Sequence, residues 1–369
     1  MTNPPVSSAN QWMACHGSFQ AQRRHRGVPG DPPASRLEGR ACHEAAQRVL
    51  NGETPESIVN TLSRDGIVIT PDLIDVAMVY VNDVCSVAGN GASVECHTSL
   101  SHILLDWVGV CDAWFYDTET ATLNVWDFKS GHTFVPAFEN WQLVLYASGW
   151  LHYHSWNVVS KINLRIVQPR CYTSEGAIRT WSMTGEQFRE VEQRVIDAIP
   201  QVIGDAPQCR TGTHCKRCTA RAHCETLQRV AFEGIDYEAS LETHSLSGQE
   251  LGMELKILQR AQRALEYRLS GLEEQALHEI QQGGDVAFYT VKHGKGRERW
   301  RKDVPVEQVI MMGDLMGVDV RKPVELDTPA QLRKKGIDET VIKAYSETPS
   351  TGAKLVEVDV KQMFQHGDK

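Results

Sequence analysis

Apolar positions early in the chain recur at helical spacing, and the period then drops to two. In "SRLEGRACHEAAQRVL" (35–50), Leu37, Ala41 and Ala45 fall four residues apart, which makes one apolar face of a helix. A second helix is predicted over 71–88, opened by Pro71 and Asp72 and stopped near Gly89. Residues 92–97, 107–116 and 122–129 then read as three strands, with "DTETA" as the turn between the second and third. A helix over 137–152, a strand over 161–168 and a helix over 185–200 complete the run. A helix crossing between strands implies a mixed sheet covered by helices. The fold class expected is therefore α/β (α+β).

The flanks read differently. Residues 1–34 are rich in Pro, Gly, Ser and Arg, which predicts loops with one short helical turn. From Ser247 a long helix runs to about Gln282, opened by the capping-box pair Ser247 and Glu250. Leu251, Leu255, Leu258, Leu265, Leu269, Leu272 and Ala276 follow a four-three spacing interrupted by Gln262. That spacing suits a coiled-coil-like seam or a helix docked on its own domain. Gly283-Gly284 ends the helix, and 285–369 reads as a small mixed module. The organisation expected is an N-terminal segment (1–34), a core (35–230) with a cysteine cluster at 209–224, a long helix (245–283) and a C-terminal module (284–369). No internal repeat is visible.

Bulk composition adds bounds. A chain of 369 residues has room for two or three domains, or one with a long extension. Hydrophobic content of 41% and charged content of 23% are ordinary for a globular protein with a sizeable core. No apolar run is long enough to span a bilayer, and the N-terminus lacks the basic-then-apolar order of a secretory signal. The expectation is a soluble cytoplasmic protein. A net charge of −9 weakens attraction of the whole protein to nucleic acid, though not of a local basic channel. A carboxylate-rich metal site would contribute to the deficit.

The candidate chemistry sits in "GVCDAWFYDTETATLNVWDFKSG" (109–131). Alternate residues of a strand share a face, so Val125, Asp127 and Lys129 point one way. A hairpin would bring Asp112 alongside, so the two acids and the lysine can converge at one end of a sheet. Carboxylates buried there without partners would be costly. A divalent ion would satisfy both, and oxygen ligands at this density suit Mg²⁺ or Mn²⁺. Such an ion can polarise a phosphoryl oxygen and acidify a bound water, with Lys129 orienting that water or stabilising developing charge. A plain salt bridge between Lys129 and either Asp is the competing reading. Gly39 and His43 lie on the upstream helix, and Gln142 and Tyr146, four apart, share a face of the downstream one. Glu95 is a further acid on the first strand, with a surface or salt-bridge role as its plainer reading.

Ten cysteines in a chain without an export signal do not suggest a disulfide framework. Cys209, Cys215, Cys218 and Cys224 fall within sixteen positions, which points to metal. Taken alone, this local set suits a zinc site. Basic clusters occur at 23–26, 216–223 and 292–302. In the third, Trp300 lies among Arg297, Arg299, Arg301 and Lys302, an interleaving that fits stacking on a nucleic-acid strand or end. A solvated charged face competes with that reading.

The order Gly39…His43, Asp112, Asp127-Phe128-Lys129, Gln142…Tyr146 resembles the motif series of RecB-like nucleases in the PD-(D/E)xK superfamily. "SSANQWMACHGS" and "IVQPR" (166–170) resemble the phage-encoded branch in particular. Cys111 stands where the superfamily's naming proline would be. The resemblance implies a restriction-endonuclease-like fold. It implies that Asp112, Asp127 and the Phe128 carbonyl bind the metal with His43, that Lys129 acts on the attacking water, and that Gln142 and Tyr146 hold the site or contact DNA. It also implies an iron–sulfur staple in which Cys15 joins Cys215, Cys218 and Cys224 around a [4Fe–4S] cluster, leaving Cys209 spare; zinc stays open as the alternative. The activity implied is a metal-dependent deoxyribonuclease, an exonuclease at double-strand ends. A single-strand endonuclease or nickase, and a non-catalytic DNA-binding scaffold, are the rivals. The partners implied are DNA, a phage single-strand annealing recombinase and further copies of the chain as a homo-oligomer, with no membrane.

Overall fold

A computed structural model describes residues 3–25, 34–154, 159–240, 247–291, 306–315 and 339–340. Five strands form one sheet in the order of the sequence: β1 (Ser93–Ser99), β2 (Val108–Asp117), β3 (Thr122–Phe128), β4 (Lys161–Val167) and β5 (Ile178–Thr184). Neighbours run antiparallel except β3 and β4, which are parallel. A parallel pair needs a crossover, and the helix Trp141–His154 between those two strands supplies it. The mixed sheet flanked by helices is the α/β architecture that the pattern predicts.

The central strand explains its own sequence. Every residue of β3 is buried, so Leu123 and Val125 serve one apolar cluster while Trp126 and Phe128 serve another. The helices in order are α1 (Ala9–Ala14), α2 (Ser18–Arg24), α3 (Ala34–Leu50), α4 (Pro55–Ile58), α5 (Pro71–Ala88), α6 (Trp141–His154), α7 (Gly185–Ile203), α8 (Glu225–Ser240) and α9 (Gly248–Gln281). On one face of the sheet, α3 and α5 contribute Ala41, Ala45, Leu73, Ala77 and Val84. On the other, α6 and α7 contribute Leu143, Leu151, Phe188 and Val195, joined by Trp12 and Phe19 from the N-terminal segment.

Four expectations need correction. The helix predicted over 137–152 begins at Trp141, because the Asn140 side chain accepts the Leu143 N–H at 3.3 Å and caps it. Within the N-terminal segment the described residues 3–25 are not loop: a 3₁₀ turn and two short helices bury Val6, Trp12 and Phe19 in the core. Strand β5 and helix α8 were not expected. In β5 the buried positions are Arg179 and Met183, so an arginine sits where an apolar residue would have marked the strand. The capping box of α9 forms as expected, but its leucine seam stays exposed at Leu251, Leu258, Leu265, Leu269 and Leu272. Ala264, Tyr267 and Gly271 dock instead, against Cys215, Leu227 and the Arg221–Ala222 segment.

The chain separates into two units, Met1–Lys292 and His293–Lys369. Within the second, helix α10 (Val306–Leu315) is described, and most of the expected C-terminal module lies outside the described residues. Among the described residues no helix is long and apolar enough to cross a membrane.

Candidate functional site

Register places three acids in a row. Val94 pairs with Ala113 and Cys96 with Cys111, so Glu95 lies opposite Asp112. Ala113 pairs with Trp126 at the end of that ladder, and Asp112 and Asp127, each one residue beyond, lie near enough for the Asp112 charge to act on Asp127. β1, β2 and β3 thus each bring one carboxylate to the lining of the same cleft. Glu95 is in the left-handed region at φ 50°, a strain of about 1–3 kcal/mol for a non-glycine residue. Its carboxyl is held above the usual range by burial and by the Asp112 charge. One oxygen each of Glu95 and Asp112 and one ring nitrogen of His43 lie within 4.8 Å of one another. His43 Nδ1 is 3.7 Å from Asp112 Oδ1.

Each group has a local reason for its position. Asp112 Oδ2 accepts the Phe128 N–H at 2.6 Å, which turns its carboxylate toward the end of β3. The Phe128 ring stacks on Tyr80 of α5 at 4.8 Å and lies 4.9 Å from the His43 ring, so the core behind the row fixes the histidine. Gly39, one turn before His43, stands where an added Cβ would sit 3.1 Å from Ser130 Oγ, and its bareness lets α3 approach the loop after Lys129. Gly109 does the same for α6, since a Cβ there would sit 2.9 Å from the Tyr146 ring.

Asp127 is 1% exposed. Burial pushes its carboxyl up to about 6, with Lys129 opposing and Asp112 adding to the rise. Lys129 Nζ donates to Oδ1 at 2.9 Å and lies 2.8 Å from Oδ2, an ion contact whose geometry leaves Oδ2 without a hydrogen-bond donor. Burial works against the ammonium, but Asp127 and Asp112 outweigh it and hold Lys129 above the usual lysine range. Lys129 Nζ also donates to Gln142 Oε1 at 3.3 Å, and Gln142 Nε2 donates to the Tyr146 hydroxyl at 3.0 Å. Burial raises Tyr146 well beyond the usual phenol range, so it stays a neutral hydroxyl.

The row opens into a cleft of about 700 Å³ whose lining includes Arg36, Arg40, Arg64 and Arg217. Its donors, two accessible carboxylates and an imidazole with a third carboxylate beside them, suit a Mg²⁺ or Mn²⁺ ion. The undonated Asp127 oxygen and the strained Glu95 both fit a cation that would offset their cost.

Of the residues singled out in the sequence, Asp112, Asp127, Phe128, Lys129, His43, Gln142 and Tyr146 all line this cleft. Glu95, set aside there as a surface or ion-pair residue, belongs to the donor group. Sequence reasoning missed the anchor of the loop after Lys129. Gln168, 1% exposed at the end of β4, donates to the carbonyls of Gly131 and Thr133, both at 2.7 Å. It accepts from Val135 N and from Arg179, at 3.1 and 2.6 Å. The buried Arg179 of β5 was the signal, and only the sheet order reveals it. Arg297, Arg299, Trp300 and Arg301 lie outside the described residues.

All five clustered cysteines meet. Cys15, Cys209, Cys215, Cys218 and Cys224 line one small cavity with His214. The Arg210 N–H donates to Cys15 Sγ at 3.3 Å, and Gly17 N donates to Gln208 O at 2.9 Å. A Cβ on Gly17 would meet Cys209 Sγ at 2.5 Å, so only glycine permits the approach. Side-chain hydrogen bonding with Cys209 draws Cys15 down to about 4 and Cys224 to about 6, and the same contacts raise Cys209. Burial opposes charge on His214, yet the Cys15 and Cys215 sulfurs hold it up at about 10.

Fold and cleft together define a mixed α/β protein with an acid-lined, arginine-rimmed site suited to a divalent cation. The family described as "Protein of unknown function (DUF2800)" matches residues 5–359, and the chain belongs to that family. No curated protein matches it. Among solved structures it is similar to the crystal structure of SSO0001, at 14% identity over 57% of this chain and 94% of that one, with a TM-score of 0.23.

Proposed function

We propose that the protein is a metal-dependent deoxyribonuclease of the RecB-like PD-(D/E)xK kind, acting as an exonuclease at double-strand ends. The observation that carries this reading is the row Glu95–Asp112–Asp127 with the Lys129 ammonium on Asp127. A Mg²⁺ or Mn²⁺ ion held there would polarise the scissile phosphate and acidify a bound water. Glu95, Asp112 and His43 would hold that ion, with Asp127 completing the charge. Lys129, partly exposed to the cleft at 29%, presents a proton donor where negative charge develops on the phosphate oxygens. Gln142 and Tyr146 keep Lys129 in place by their hydrogen-bond chain. The arginines of the rim would take the flanking phosphates, which reconciles DNA binding with a net charge of −9. Phage recombination, with a single-strand annealing recombinase as partner, and a homo-oligomer belong to the same proposal.

The thiols would hold a [4Fe–4S] cluster through Cys15, Cys215, Cys218 and Cys224. No three of them fall, among the described residues, into a group whose ligand atoms all lie within 4.8 Å of one another. A tetrahedral zinc ion with bonds of about 2.3 Å would set its sulfurs about 3.8 Å apart. Cys209 would then stand beside the cluster as a non-ligating thiol.

The test is digestion of linear duplex and closed circular DNA in Mg²⁺ or Mn²⁺, with Lys129→Ala as the control. Loss of linear DNA while closed circles survive, with a drop of about 10²–10³-fold in Lys129→Ala, is expected. Nicked circles would select the endonuclease. Absence of cleavage in either metal would leave only the scaffold.

A further inference from the structure

A second constellation lies away from the carboxylate row, where the loop between β1 and β2 meets α6 and α7. Glu192 sits on the buried stripe of α7 with Phe188, Val195 and Ile199, itself 6% exposed. A carboxylate in an apolar stripe must be partnered. Its Oε1 accepts the Ser148 hydroxyl and lies 3.3 Å from His152 Nε2 and 3.7 Å from His102 Nε2. The two imidazoles stack face to face, their centroids 3.6 Å apart and their planes 15° from parallel. Both therefore present Nε2 to the same oxygen. Two imidazole nitrogens gathered on one carboxylate oxygen are a donor set of the kind that binds metal.

The separations can be compared with coordination geometry. A tetrahedral zinc ion with bonds of about 2.0–2.1 Å to nitrogen and oxygen sets its ligand atoms about 3.3–3.5 Å apart. The observed 3.3 Å falls in that range, 3.7 Å lies just beyond it, and the three ligand atoms lie within 4.8 Å of one another. Packing builds the site: at Gly149 an added Cβ would sit 2.2 Å from Thr98 Cγ2 and 2.7 Å from Ser99 O. The bare glycine lets α6 press against the end of β1, which carries Ser148 and His152 up to His102. Ser148, fully buried, donates to the carboxylate and lies 2.9 Å from His102 Nε2, so it ties both groups in place.

We propose that His102, His152 and Glu192 form a second metal site, of the zinc class, that clamps the β1–β2 loop to α6 and α7 and leaves a coordination position open on the exposed histidine side. Two imidazoles and one carboxylate are a softer set than the carboxylate row, so zinc and magnesium should sort between the two places.

The test counts metal. Wild type, His102→Ala and His152→Ala are dialysed to equilibrium against Zn²⁺ with Mg²⁺ in large excess to occupy the carboxylate row. Zinc per chain is then measured by mass spectrometry, and the melting temperature is recorded with and without Zn²⁺. Thiols and the carboxylate row are common to all three proteins, so their contribution cancels in the difference. Each variant should hold one zinc fewer per chain and lose the rise in melting temperature that Zn²⁺ gives wild type. Equal zinc content in all three proteins overturns the site. Both histidines are exposed, so the variants should fold, and His152→Gln checks whether a hydrogen-bonding side chain alone restores the zinc response, which would also overturn it. Cleavage of DNA in Mg²⁺ is read separately, so failure here is distinct from failure of the nuclease reading.

Discussion

Glu95 shows at the scale of one residue how the site opposes the fold. Its backbone is left-handed, its carboxyl faces Asp112, and its pKa is raised by burial and by that neighbour. A carboxylate raised in the folded state favours the protonated form. Its cost is therefore absent near pH 4, appears as pH rises through the raised value, and is full at neutral pH. Glu95→Gln should accordingly melt higher than wild type in EDTA at pH 7.5, with the gap closing near pH 4.5, while its affinity for Mn²⁺ falls. A variant that melts lower at pH 7.5 would return Glu95 to an ordinary ion pair. The sequence made Asp112, Asp127 and Lys129 legible, because period-two spacing and one hairpin suffice to bring them together. It put Glu95 on the surface or in an ion pair, since nothing local separates an acid facing a cleft from an acid facing solvent. Gln168 was hidden for another reason: its four partners at 131, 133, 135 and 179 come from segments that only the fold assembles.

Helix α6 carries the most at the scale of elements. It bridges the parallel strands, buries Leu143 and Leu151, and aims Gln142 and Tyr146 at the carboxylate row while Ser148 and His152 reach the other constellation. Gly149 sets its depth, because backbone Ser99 O cannot yield to an added methyl group. Gly149→Ala should destabilise the protein by about 1–3 kcal/mol, outweighing alanine's better helix propensity. Denaturant unfolding checks this, and a stabilised variant would contradict the packing. The existence of α3, α5, α6, α7 and α9 could be read from apolar spacing and starts such as Pro71-Asp72 and Ser247. The docking face of α9 could not, because leucines at four-three spacing outshine the small residues Ala264 and Gly271 that permit close approach.

Segments far apart in sequence meet at the scale of the whole molecule. The segment bearing Cys15 docks on the 209–224 loop through backbone and side-chain bonds, among them Thr219 Oγ1 to His25 O at 3.0 Å. Closing a loop of that length removes much entropy from the unfolded chain, so a group ligated there should stabilise the fold strongly. Protein purified without oxygen should be brown with broad visible absorbance, and Cys218→Ser should lose the colour and melt lower. A colourless wild type that carries zinc would assign the local cysteine set instead. The clustering of four thiols was evident in the sequence. That all five cysteines and His214 share one cavity was not, since Cys15 is brought there only by the packing of Trp12 and Phe19 into the core.

The most direct measurement is the initial rate of linear-duplex cleavage against Mn²⁺ concentration, for wild type and Asp112→Asn. Asp112 lies at the centre of the row, and its amide replacement keeps the size of the side chain while removing the charge that a cation needs. Wild type should show saturable, metal-dependent cleavage that EDTA abolishes, and Asp112→Asn should fall about 10²-fold or more at every Mn²⁺ concentration while remaining folded. Cleavage that survives EDTA, or that is unchanged in Asp112→Asn, would contradict a carboxylate-held cation as the centre of the chemistry.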